Sequence, residues 1–284
     1  PTDKMPKSDP NKNEREKSHF AGDGVYVISF LERDSSFFGR LIIRIVLKFW
    51  DRHLRFIKPE WIKGKKVLEA SCGNPRNVLY FKSMGAELSA GCDISESVMR
   101  RGLASERAYA LDRRMPCVRP PVFVADCENL PVADGSLDAI LIFQAAHHLD
   151  IDRFISEARR ALVPGGVLFI SDPNGAHPLR RLADSVGRAS RVMSDDERAL
   201  APALFAEKLR LSGFDIVERR AINLFSELFF LFTTLVEQKS APAADILRLL
   251  FLPPLSAVDA LLEISLFKAL PSLSWRHIIA ARKE

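Results

Sequence analysis

Val67-Leu68-Glu69-Ala70-Ser71-Cys72-Gly73-Asn74 is an apolar run that ends in a turn of small residues. It reads as a strand over Lys66 to Ala70, a tight turn, and a helix from about Pro75 to Met84. Gly73 allows the backbone of that turn to approach a ligand closely. Outward from this unit the same alternation repeats. Strands are expected at Glu87 to Cys92, Val122 to Ala125, Leu137 to Phe143, Val167 to Ser171, Phe214 to Glu218 and Arg276 to Ala281. Helices are expected after Ser95, whose side chain can cap one, at Ile151 to Leu162, and from Ser194 towards Leu211. Ser194 and Glu197 have capping-box spacing, and Gly213 stops that helix. Pro164-Gly165-Gly166 turns the chain into its fifth strand. Such alternation implies a doubly wound, Rossmann-like α/β fold, its mostly parallel sheet covered by helices on both faces.

The 284 residues, 47% of them hydrophobic, suffice for a substantial core. Pro1 to His19 has no apolar run and reads as a disordered tail. Residues 20–62 form an N-terminal helical segment in which Arg44, Lys48, Arg52 and Arg55 share one stripe. The core spans 63–223, an apolar helical insert 224–274, and the final strand 275–284. Within the insert, two helical stretches surround Pro253-Pro254. A net charge of +5 is too small to specify an anionic partner. Cys72, Cys92, Cys117 and Cys127 show neither Cys-x-x-Cys spacing nor a nearby histidine set, so no metal site or disulfide framework is indicated. Reduced thiols suit a cytoplasmic protein. The most apolar long stretch, Leu249 to Phe267, contains two prolines, Asp259 and Glu263, and is a poor membrane span.

In a doubly wound sheet, ligands gather at the carboxyl ends of the strands, which here carry Glu69, Asp93, Asp126 and Gln144. A carboxylate at Asp93 can accept hydrogen bonds from both hydroxyls of a ribose. A dinucleotide would need Gly-x-Gly-x-x-Gly against its pyrophosphate, whereas Ser71 to Arg76 offers one glycine. Asp93 or Asp126 alone would more often be a turn or capping residue; their place in an ordered series reverses those odds. Cys72 and Cys127 read as packing residues rather than nucleophiles.

The series is Val67 to Asn74, Gly91-Cys92-Asp93-Ile94-Ser95, Ala125 to Pro131, Asp134 to Asp138, His147-His148-Leu149 and Glu157 to Gly166. In that order it closely resembles the class I S-adenosylmethionine-dependent methyltransferases, in particular their small-molecule type 11 branch. The resemblance implies a seven-stranded sheet with an antiparallel last strand and S-adenosylmethionine as cofactor. It also implies that the turn including Ala70, Ser71, Gly73 and Asn74 meets the methionine part, with Glu69 beneath. Asp93 then holds the ribose, Asp126 the adenine amine, Ile94 and Cys127 the ring faces, and Gln144 lies beside the methyl group. Where the family usually has a second glycine, this chain has Pro75. That departure keeps open a second reading, a catalytically inactive member of the fold that binds a ligand or a protein partner.

Methyl transfer from a sulfonium is a displacement that rests on alignment and exclusion of water. His148 and His147 can act as bases if the acceptor is a hydroxyl, or can simply pack. Base methylases that act on nucleic acid resemble Asn-Pro-Pro-Tyr where this chain has Gln144-Ala145-Ala146-His147, so nucleic acid is not the expected partner. An insert between the last two strands is positioned to roof the site. Phe225, Phe229, Phe230 and Phe232 are therefore read as a lipophilic acceptor pocket or lid, with a helical core or homodimer interface as the alternative. With the basic N-terminal helix, they suggest a small or lipid-like acceptor met peripherally at a membrane surface.

Overall fold

The computed structural model of the chain describes residues 51–103, 119–180 and 197–284 without interruption, together with 14–15, 41, 45–46, 48–49, 182 and 184–185. Its strands are β1 (Lys66–Ala70), β2 (Leu88–Asp93), β3 (Val122–Val124), β4 (Leu137–Phe143), β5 (Leu162–Pro173), β6 (Phe214–Ile222) and β7 (Arg276–Lys283). They form one sheet in the order β3-β2-β1-β4-β5-β7-β6. Neighbours from β3 through β5 run parallel, and β7 lies antiparallel between β5 and β6. The expected seven-stranded, doubly wound sheet with a reversed last strand is what the chain forms.

The central strands are buried on both faces, which is why they read as nearly continuous apolar runs. Leu68, Ile140, Ile142, Leu168, Ile170 and Ile279 pack on one face against helices α3 (Ile151–Ala161) and α4 (Pro202–Leu211). Val67, Ala139, Leu141, Phe169 and Ile278 pack on the other against Trp61, Ile62 and Phe81 of helix α1 (Arg76–Ser83). Helix α2, residues 96–103, follows β2 after Ser95 as expected.

Several local expectations change. Ser194 lies outside the described residues, and α4 starts only at Pro202, because proline fits the first helical turn and Ala201 before it is extended. Glu197 precedes that helix and faces the histidines described below. β5 begins at Leu162, so the Pro164-Gly165-Gly166 turn is an irregularity inside the strand, marked by a register shift against Leu137/Ala139. Of the expected tail, only Glu14 and Arg15 are described, and both are helical.

The segment between β6 and β7 forms α5 (Phe225–Glu237), α6 (Ala241–Ile264) and the short α7 (Leu266–Ala269). Pro253 and Pro254 sit inside α6 rather than between two helices. Each interior proline removes an amide donor, but both prolines lie on the exposed side, while Arg248, Leu252 and Asp259 bury the opposite stripe. Asp259 caps the start of α5, accepting from the amides of Phe225 at 3.0 Å and Ser226 at 3.1 Å and from the Ser226 hydroxyl. The expected cationic stripe is also partly consumed here. Arg52 donates to Glu263 at 2.6 Å and to the Ser256 carbonyl at 2.7 Å, and Arg55 pairs with the same glutamate. Among the described residues, no helix is long and apolar enough to cross a membrane.

Candidate active site

The turn after β1 is shaped by backbone conformation. Ser71 and Gly73 both adopt left-handed φ, 51° and 48°, a conformation that is costly for serine and free for glycine. The amide of Cys72 donates to the Cys92 carbonyl at 2.8 Å. That of Gly73 donates to Asp93 Oδ2 at 2.9 Å, and Asp93 Oδ1 accepts from the Ser95 amide at 2.8 Å. The Asp93 carboxylate therefore clips the ends of β1 and β2 together. Burial pushes its pKa up, and the hydrogen bonds from Ser95 and Gly73 and the charge of His148 oppose that shift.

Pro75 stands at the cap position of α1, where its missing amide strands no intrahelical partner. A Cβ at Gly102 on α2 would come within 2.6 Å of Asn74 Cα and 3.0 Å of Pro75 Cδ. Gly102→Ala is thus expected to push the turn out of shape at a cost of about 1–3 kcal/mol. A thermal melt and a nucleoside titration check this, with both the melting temperature and the affinity falling.

A cavity of about 240 Å³ opens over the strand ends. It is lined by Ser71, Gly73, Asp93, Ile94, Asp126, Cys127, Gln144 and His148 among the expected residues, and by Cys72, Val98, Glu128, Phe143, Ala145 and Leu149 besides. Phe143 ends β4 and Val98 lies in the first turn of α2, so strand-end and helix-start position is the signal that would have found them. Cys127 Sγ accepts from the Ser71 amide at 3.2 Å. Asp126 Oδ1 accepts from the Glu128 amide at 2.8 Å. Gln144 is also left-handed, φ 54°, with its amide on the Ser171 carbonyl at 2.8 Å. Glu69, Ala70 and Asn74 do not line the cavity. Glu69 lies buried behind the turn, where burial drives its pKa up to about 8 although Asn77 donates to Oε1 at 2.7 Å.

His147 and His148 occupy a short 3-10 turn after β4. His147 Nδ1 lies 2.9 Å from Asp172 Oδ1 and its Nε2 3.8 Å from Glu197 Oε2, while His148 Nδ1 is 4.0 Å from Glu197 Oε1. Burial acts to lower the His147 pKa, but the charges of Asp172 and Glu197 and the hydrogen bond to Asp172 outweigh it and raise it. Glu197 is held there by its neighbours. The Arg198 amide donates to the His147 carbonyl at 2.9 Å, and the Gly175 amide to the Leu200 carbonyl at 3.0 Å. The sequence reading gave Glu197 to a helix cap and missed it here, because an irregular segment carries no periodic signal.

The family model for the type 11 methyltransferase domain matches residues 68–170, the stretch that builds all of this site but Asp172 and Glu197. Residues 68–170 are a methyltransferase domain by this match. It is 33% identical over 154 residues to a "probable S-adenosylmethionine-dependent methyltransferase" of Mycolicibacterium smegmatis, covering 54% of this chain and 53% of that one. It is 30% identical over 140 residues to the phthiotriol/phenolphthiotriol dimycocerosates methyltransferase 1 of Mycobacterium ulcerans, covering 48% of each. The chain thus spans about half the length of the curated relatives it matches. The fold also resembles the magnesium protoporphyrin IX methyltransferase of Synechocystis PCC 6803 with bound S-adenosylhomocysteine, at TM-score 0.57 and 13% identity over 96% of this chain and all of that one.

S-adenosylmethionine is the cofactor of this family, and the lining of the methyltransferase domain's cavity suits it chemically. Among the described residues the lining includes three acidic ones, Asp93, Asp126 and Glu128, and no Lys or Arg, although Glu128 also accepts from the Asp150 amide at 2.7 Å. That set of acceptors favours a cationic ligand bearing hydroxyls and disfavours a pyrophosphate. The four phenylalanines expected to form an acceptor pocket are not among the lining residues. Phe230 is buried, stacks on Phe49 at 5.6 Å and lies under the Arg248 guanidinium at 4.9 Å. Phe229 packs on Phe232 and Phe251, and Phe225 and Phe232 are exposed. The helical-core alternative therefore describes Phe230, since its partners come from the N-terminal segment and α6.

Proposed function

We propose that the chain binds S-adenosylmethionine in the strand-end cavity and directs its methyl group onto a hydroxyl of a lipophilic acceptor. The observation that carries this reading is the strand-end cavity lined by Asp93 and Asp126 beside a left-handed turn at Ser71 and Gly73. In this reading Ala70 and Asn74 hold the turn in shape above Glu69, and Ser71 and Gly73 bound the methionine side. Asp93 offers its remaining lone pairs to the ribose, Asp126 accepts from the adenine amine, and Ile94 and Cys127 cover the ring. Gln144 stands beside the reacting centre. When bound, the cofactor supplies an electrophilic methyl group on a sulfonium. The chain excludes water through Phe143, Ala145 and Leu149 and brings the acceptor hydroxyl beside the histidine pair on the rim.

Two observations support a lipid-like acceptor met at a membrane surface. The insert exposes Phe232, Leu250, Phe251, Leu261 and Ile264, side chains of the kind that engage a lipid surface. A second cavity of about 530 Å³ combines apolar Phe56, Ile264 and Phe267 with Arg219, Arg220 and Lys268, a pairing suited to a lipid with an anionic head. The Mycobacterium ulcerans relative, named for phthiotriol substrates, supports the same class of acceptor. Flotation with anionic liposomes at low salt is the test, and a substantial bound fraction that high salt reduces is expected. A protein that stays wholly soluble at low salt contradicts the membrane contact, and a concentration-dependent dimer in its place assigns the apolar face to a second copy.

A further inference from the structure

His147, His148 and Glu197 form a cluster at the edge of the strand-end cavity. One ligand atom from each lies within 4.8 Å of the other two. The 3.8 Å and 4.0 Å separations to Glu197 exceed a hydrogen bond. They approach the spacing of atoms that share one ion, since ligands about 2.0–2.2 Å from a metal sit roughly 3–4 Å apart. The 2.9 Å contact of His147 Nδ1 with Asp172, itself 1% exposed, turns Nε2 toward Glu197. An imidazole with its far nitrogen on a buried carboxylate is the arrangement that supports metal-bound histidines. The fit of the 197–200 segment is tight, since a Cβ on Gly175 would meet the Ala199 carbonyl oxygen at 2.2 Å.

We propose that His147 Nε2, His148 Nδ1 and the Glu197 carboxylate bind one divalent first-row cation, Zn²⁺ or a neighbour such as Mn²⁺ or Fe²⁺. Two imidazoles and one carboxylate select such ions over Mg²⁺ and Ca²⁺, and three protein ligands leave a position open. Because His148 also lines the cofactor cavity, an open position on that side meets the acceptor. This deepens the methyltransferase reading and rests on it for the acceptor's place. The cation takes the acceptor hydroxyl and lowers its pKa, so that its proton is lost to water. The oxygen then bonds to the methyl carbon as the sulfur–methyl bond breaks, its electron pair passing to sulfur. The expected acceptor is thus an alcohol or phenol.

Untagged protein, stripped by chelator, is titrated with Co²⁺ and followed by visible absorption, and the same samples are titrated with S-adenosylmethionine by calorimetry. One Co²⁺ per chain is expected, displaced by Zn²⁺. Glu197→Gln and His148→Ala should each weaken Co²⁺ binding more than about tenfold, with the cofactor titration of Glu197→Gln unchanged as proof of folding. No Co²⁺ signal in protein that binds the cofactor overturns the cation site and leaves the cofactor site standing, as does a signal that both variants retain. Co²⁺ binding lost in the variants of a chain that fails to bind S-adenosylmethionine supports the cation site and removes the cofactor reading.

Discussion

Asp93→Ala is expected to weaken S-adenosylmethionine binding by roughly 100-fold or more, the loss of two charge-assisted hydrogen bonds to ribose hydroxyls. The carboxylate has two tasks, and both fail together. Facing inward, it accepts from the Gly73 and Ser95 amides, so alanine also leaves the glycine turn unclipped. Asp93→Asn is the milder change. It keeps one acceptor oxygen, so one of the Gly73 and Ser95 amides loses its partner and the melting temperature falls less than in the alanine variant. Much of the affinity is still lost, because its amide nitrogen can only donate. Calorimetry on both variants, beside thermal melts, distinguishes a binding defect from a folding defect. Affinity that Asp93→Ala leaves intact would mean that the ribose lies elsewhere.

Arg276→Met is expected to destabilise the fold by about 3–5 kcal/mol, because it abandons a buried carboxylate. Arg276 at the start of β7 meets Glu227 in the first turn of α5 at 2.5 Å, with side chains 1% and 6% exposed. Asn223, left-handed at φ 56°, also donates to that glutamate, at 3.3 Å. The pair ties the helical insert to the last strand of the sheet. For a domain of this size the melting temperature should fall by roughly 10 °C. The double variant Arg276→Met/Glu227→Leu should recover most of that loss, since removing both charges removes the uncompensated one. A double variant no more stable than the single one would show that the pair does not carry the attachment.

The strand-end lining of the cavity was legible because strand ends are local features. Val67 to Gly73 and Gly91 to Ser95 declare a strand, a turn and a helix within ten residues, and the sheet order brings Asp93 and Asp126 to one edge. Pro75, which raised a question about the turn, is absorbed where helix starts tolerate proline, against the glycine at 102. The insert was less legible. Helical spacing marks Phe229, Phe230 and Phe232 as apolar but cannot say which one packs, since Phe230 is decided by Phe49 and Arg248. Pro253-Pro254 reads as a break, and only the burial of Arg248, Leu252 and Asp259 against α5 explains why α6 continues. Glu197 was hidden for a similar reason, because two backbone hydrogen bonds to distant residues place it rather than any pattern of its own.

Calorimetric titration of the purified chain with S-adenosylmethionine and with S-adenosylhomocysteine tests the central claim most directly. Saturable, near-stoichiometric binding of both at micromolar or tighter affinity, about −8 kcal/mol or more favourable, is the predicted result. A folded protein that binds neither would contradict the cofactor site and the methyl transfer built on it.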